Sequence, residues 1–190
     1  MESKLLDLHT DKSCYIIIGN KNAANRIRNE IKKSPLTLYG TKLEEKSSEK
    51  YLGDYLHSGG NSASVKATVN SRHGRITSFI IQARAIIDDC RINVVGGLSA
   101  GIDIWELAYL PNLLNNCESW TDIDKSTLDS LEDLQYTMYR VLLSCPKSTP
   151  RAALLWDMGG VKMKYRIMMK KLNFLPVSYT HLTLPTKRIV

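Results

Sequence analysis

The sequence predicts an α+β fold that is mainly helical, with a small N-terminal strand and hairpin piece followed by a helical bundle. Three observations lead there. Residues 13–57 hold short β-branched and aromatic runs punctuated by Gly, Asn and Pro, the pattern of short strands and turns. From Ser62 onward the apolar residues recur every three or four positions, the period of amphipathic helices. The 190 residues are 43% hydrophobic and 24% charged, a globular composition with length for one ordinary domain or two small ones.

The elements follow in order. "SCYIIIGN" (Ser13–Asn20) reads as a buried strand ended by Gly-Asn. "NAANRIRNEIKKS" places Ala24, Ile27 and Ile31 at helical spacing, with Asn22 as cap and Pro35 as stop. "LTLYGTKLEEKSSEKYLGDYLH" alternates around Gly40 and predicts a hairpin leading into "KYLGDYL" (Lys50–Leu56). Ser62 or Ser64 caps the next helix, in which Val65, Val69, Ile76, Ile80, Ala83 and Ile87 share one face. "VVGGLSAG" (Val94–Gly101) reads as a glycine-rich break. A second helix carries Ile102, Leu107, Leu110, Leu113 and Leu114, and Pro111 is expected to bend or break it. From Asp124, the residues Leu128, Leu131, Leu134, Met138 and Leu142 form a clean stripe. Beyond Pro146 and Pro150, the last helices carry Leu154, Leu155 and Trp156, then Val161, Met163, Ile167, Met168 and Leu172.

The final residues differ in character. "PVSYTHLTLPTKRIV" has no periodic pattern, and Val177–Thr186 resembles the translation of a transposase adapter used to build sequencing libraries. Residues 176–190 are therefore expected to be a disordered artefact. The net charge of +7 points weakly to a polyanionic partner, and leaving out Lys187 and Arg188 lowers it to +5. Cys14, Cys90, Cys117 and Cys145 lie too far apart in sequence for a paired zinc motif. They read as isolated thiols of a reducing compartment, cytoplasm or nucleus. No apolar run is long enough to cross a membrane, and "MESKLLDLHTDKS" lacks the apolar core of a secretory signal.

The succession of "HTDKSCYII", "KYLGDYL", "LPNLLNNCESW" and "CPKSTPRAALLWDMGG" resembles the C-terminal part of a reverse transcriptase of the non-LTR (LINE-like) retrotransposon kind, over roughly residues 3–174. Each motif alone is weak, and their order carries the likeness. The resemblance implies a palm remnant over 1–60 with a primer-grip-like hairpin, and a thumb-like helical region over 61–175. It places Lys12 near the incoming triphosphate, where a cation would stabilise the leaving pyrophosphate. It makes Lys50, Tyr51, Leu52 and Gly53 the grip. Gly53 would let the backbone approach a sugar-phosphate chain, while Tyr51 and Leu52 alternate between core and nucleic acid. Lys66, Arg72, His73, Arg75 and Arg84 would then track the backbone of an RNA or DNA primer–template duplex without reading its sequence. Without that family context, Lys12 is a solvated lysine, "KYLGDYL" a plain hairpin and the helix a solvated basic face. Trp105, Trp120 and Trp156 sit in apolar patterns and read as core rather than as base-stacking platforms.

A polymerase of this class needs carboxylates on successive strands to hold two magnesium ions. Those boxes should precede Lys12, on an N-terminal polymerase segment that would be this chain's partner. Magnesium is thus expected only for the full-length enzyme, and primer extension by this chain alone is not expected. Asp88-Asp89 follows the grip at helical spacing and is not read as a catalytic pair. Two other readings stand beside this one: a helical nucleic-acid-binding module using the same basic helix, and a protein-interaction module whose amphipathic stripes bind another subunit.

Overall fold

The computed structural model describes residues 13–89 and 94–183. It is a mainly helical α+β fold, divided into two compact units, Met1–Thr68 and Val69–Val190, with the division falling inside one long helix. Lys12 and Cys90 lie outside the described residues.

In the first unit, β1 (Cys14–Tyr15) pairs in parallel with β4 (Glu44–Glu45). The strand expected over 13–20 is thus only two residues long. Among the described residues only Glu44 and Glu45 pair with it, and of the isoleucines that follow, Ile17 is buried while Ile18 is exposed. Helix α1 (Lys21–Lys33) is capped by Asn20, not Asn22: the Asn20 side chain accepts from the Ala23 N–H at 2.8 Å. Asn20 has the extended backbone that a cap requires, whereas Asn22 lies already inside the helix. Two antiparallel hairpins follow, β2 (Thr37–Leu38) with β3 (Thr41–Lys42), and β5 (Ser48–Tyr51) with β6 (Asp54–His57). Helix α2 (Asn61–Asp89) then begins, its first turns belonging to this unit.

The second unit continues α2 and adds α3 (Val94–Ile104), a π-helical turn (Trp105–Tyr109), α4 (Leu110–Leu113), α5 (Lys125–Leu142), α6 (Arg151–Asp157) and α7 (Met163–Thr183). Its core is built from Val69, Ile76 and Ile80 of α2, Trp105, Leu113 and Leu114, then Leu131, Leu134, Met138 and Leu142 of α5, with Leu154, Met163 and Ile167. Helix α5 starts where expected, and Asp124 caps it, its carboxylate accepting from the Thr127 N–H at 2.6 Å. Three expectations are corrected. The glycine-rich stretch from Val94 is helical, and at Gly101 a Cβ would run into Leu142 of α5, so this glycine serves close packing rather than a break. Pro111 does not break the chain's course. The Leu110 N–H reaches back to the Trp105 carbonyl, so the wider π turn resets the hydrogen-bond register just before the residue that has no N–H to give. Helix α7 continues through Pro176 to Thr183, so the end of the regular structure lies beyond the point where the apolar pattern lapses.

The π turn also has a use. It carries Glu106, whose carboxylate receives both terminal nitrogens of Arg166 from α7, at 2.7 and 2.8 Å. Burial alone would lower the Arg166 pKa, but the hydrogen bonds and charge of Glu106 outweigh it and raise the value. Such a two-pronged pair fixes orientation as well as distance between the π turn and α7.

Candidate nucleic-acid interface

The hairpin β5–β6 is closed by a two-residue turn, with Tyr51 opposite Asp54. Both turn residues have left-handed backbone, Leu52 at φ 49° and Gly53 at φ 92°, as in a type I′ turn. Gly53 meets that demand at no steric cost; Leu52 does not. The consequence is a tip that projects apolar surface: Leu52 is 78% exposed and Tyr51 63%. The expectation that these two alternate between core and ligand is corrected: Leu52 stands in the turn itself, Tyr51 is the last residue of β5, and both are exposed. Lys50 is also exposed and lies on the opposite face of the ribbon from Tyr51, because side chains alternate along a strand.

The hairpin is held at its outer edge. Lys50–Tyr55 and Ser48–His57 face each other across the ribbon, and the N–H groups of Tyr55 and His57 point away from β5. Each donates to a hydroxyl of α2: Tyr55 to Thr68 Oγ1 at 2.8 Å, and His57 to Ser64 Oγ at 2.9 Å. Ser64 and Thr68 are four residues apart and so lie on one helix face. Ser64 passes the bond on to the Gly60 carbonyl at 2.8 Å; it links helix to strand instead of capping the helix. Lys66, exposed, lies two residues from each hydroxyl and so on the opposite side of α2 from them. Hairpin and helix start are one braced element, with exposed Lys50 on the hairpin and exposed Lys66 on the far side of the helix.

The remaining predicted cations do not form one row. Arg72 is only 5% exposed. Its Nη1 donates to the carbonyls of Leu113 at 3.1 Å and Asn115 at 2.7 Å, and its guanidinium lies 5.8 Å from the Trp120 ring centroid. It satisfies carbonyls where α4 ends and the chain enters the left-handed Asn116, so its predicted phosphate role is corrected to a structural one. His73 is half-buried, its Nδ1 3.3 Å from Thr77 Oγ1. Arg75 and Arg84 are exposed. Nine residues make about two and a half helical turns, so Lys66 and Arg75 point to opposite sides of α2.

Trp105 and Trp120 are core residues, as their patterns imply, but Trp156 is 87% exposed and its core reading is corrected: on the short α6, Leu154 takes the buried position. Sequence reading missed Gln135, which is fully buried and donates from Nε2 to Tyr139 Oη at 2.8 Å and to the Val161 carbonyl at 2.9 Å. The signal was its place one residue after Leu134 and three before Met138, inside the α5 stripe. No three His, Cys, Asp or Glu among the described residues converge to hold a metal ion, and no described helix is long and apolar enough to cross a membrane. Comparison with protein-family models, curated proteins and solved structures finds no match to this chain.

Proposed function

We propose that the chain is part of a non-LTR retrotransposon reverse transcriptase, an RNA-directed DNA polymerase, and that its β5–β6 hairpin with the start of α2 grips the backbone of a primer–template duplex. The observation that carries this reading is the tip itself. An exposed leucine in left-handed backbone, beside an exposed tyrosine, is an expensive way to close a hairpin that Asn-Gly closes cheaply. Strain of this kind is a pointer to work outside the fold, and the β2–β3 turn carries the same device at Tyr39 and Gly40 without an exposed leucine beside it. A tip with apolar contact atoms, a glycine without Cβ and Lys50 beside it suits a sugar-phosphate chain: Lys50 meets a phosphate at the hairpin, Lys66 a second one from the start of α2, and Leu52 and Tyr51 lie against sugar or base edges. Braced on α2 by Ser64 and Thr68, the tip would keep its geometry when loaded. The order of the sequence motifs supplies the family, and in that reading the metal-binding carboxylates belong to a palm segment ahead of Lys12.

The test is duplex binding by the full chain as a function of salt. Two phosphate contacts each contribute about 0.9 to the log–log slope, so Lys50→Ala with Lys66→Ala should flatten it by about 1–2 units for every sequence tested. Leu52→Asn should weaken binding at unchanged slope. A folded chain that binds no duplex even at low salt would sink the reading.

A further inference from the structure

We propose that the outward face of α7 docks an acidic amphipathic helix of a partner protein. Within α7 two apolar arcs run along the same helix. One, with Met163 and Ile167, is buried in the unit's core. The other, Tyr165, Met168, Met169, Leu172 and Leu175, is exposed throughout, each residue about half accessible. Four of these, at 165, 168, 172 and 175, step by three and four, the seam spacing of two helices packed along each other. The arc covers about 15 Å at 1.5 Å per residue, roughly three turns. An apolar stripe of this length on a surface helix marks an interaction face, and its methionines adapt readily to a partner's side chains.

The charges beside the stripe select the occupant. By helical spacing, Arg166 flanks it on one side and Lys164 and Lys171 on the other, while Lys162 immediately precedes the helix. From Met158 to Leu175 there are five basic residues and no acidic one. Arg166 is neutralised by Glu106, while Lys162 and Lys164 are exposed. Lys171 donates to the Trp120 carbonyl, which fixes its stem beside the stripe. A second copy of this chain would bring the exposed Lys162 and Lys164 toward like charges, which costs affinity. A helix with apolar seam residues and glutamates at the flanking positions meets the stripe and these two lysines together. The seam spacing favours such a helix over an anionic bilayer, which requires an apolar arc but no register.

The experiment titrates the full chain against two synthetic heptad peptides with leucine at the seam positions, one flanked by glutamate and one by lysine, followed by fluorescence anisotropy. Phosphatidylserine vesicles form a third arm. The glutamate peptide should bind and the lysine peptide should not. Met168→Gln with Leu172→Gln should weaken binding by about tenfold or more, and Lys164→Ala should weaken it less while reducing its salt dependence. All three positions are exposed, and circular dichroism confirms that the fold is kept. Failure to bind the glutamate peptide, equal binding of both peptides, or unchanged affinity in the double variant overturns the proposal. Binding to the vesicles alone assigns the face to a membrane surface, and dimerisation that the double variant abolishes assigns it to a second copy; either also overturns it.

Discussion

Leu52 occupies a backbone conformation whose cheapest occupants are glycine and asparagine, and it has no packing to compensate. Leu52→Asn should therefore raise stability by about 0.5–1 kcal/mol while lowering duplex affinity, a trade that separates a working tip from an idle one. Urea unfolding alongside the binding assay reads both. Arg72 behaves in the opposite sense. Two charge-assisted bonds to carbonyls and a ring contact in a buried setting predict that Arg72→Ala costs about 2–4 kcal/mol, with the salt slope of duplex binding unchanged in whatever fraction stays folded. Its place was legible: Arg72 lies three residues after Val69 and four before Ile76, on the apolar stripe itself, and reading its charge before its phase put it on the wrong side. Cys117 gives a pH signature. Burial first, and the neighbouring Glu118 carboxylate second, push its thiol from about 9 up to about 11. A group raised in this way contributes stability that is fully present below pH 9 and is lost as pH rises toward about 11. The stability difference between the native chain and Cys117→Ala should shift over that window, measured by denaturant unfolding at successive pH values. At pH 8 the half-buried Cys14 and Cys145 should alkylate well before Cys117.

The helices and the strands of this chain were legible to different degrees for a physical reason. Helix α5 announces itself through five apolar residues on one stripe that starts near Asp124, all local information. The strand over 13–20 depends on what lies beside it, and β-branched residues describe only a surface that fits a sheet. With Glu44 and Glu45 as its pairing partners among the described residues, the ladder is two residues long. Gly101 misled in the same manner, since glycine marks a break or a close helix crossing with equal force, and only Leu142 of α5 decides between them. The β5–β6 hairpin shows how much of an element's behaviour sits in cross-links that no local pattern reveals. Ser64 and Thr68 are the acceptors for two edge N–H groups that would otherwise bond to water. Replacing both by alanine should cost about 1–3 kcal/mol and should release the Tyr55 and His57 amides to fast hydrogen exchange, with those of α5 unchanged. Slow exchange at both amides in the double variant would show that the brace is not what holds the hairpin.

At the scale of the whole molecule, a chain with net charge +7 attracts any polyanion, so binding as such says little about which surface is used. What distinguishes the two surfaces is which variants move which ligand. The hairpin tip belongs to the first unit and the α7 stripe to the second, and they share no residue; if the two surfaces are independent, their effects add within about 0.3–0.5 kcal/mol. Met168→Gln with Leu172→Gln keeps the net charge. It should leave duplex affinity and its salt slope as they are while abolishing binding of the glutamate peptide. Lys50→Ala with Lys66→Ala should flatten the duplex slope and lower peptide affinity only by the small amount expected from the lower net charge, an amount that vanishes at high salt as screening shortens the reach of charge to a few ångströms. A third measurement joins them: saturating glutamate peptide should leave the duplex dissociation constant within about twofold if the surfaces are independent. If the peptide instead displaces the duplex, both ligands occupy one basic surface, and the separate assignments of hairpin and α7 fail together.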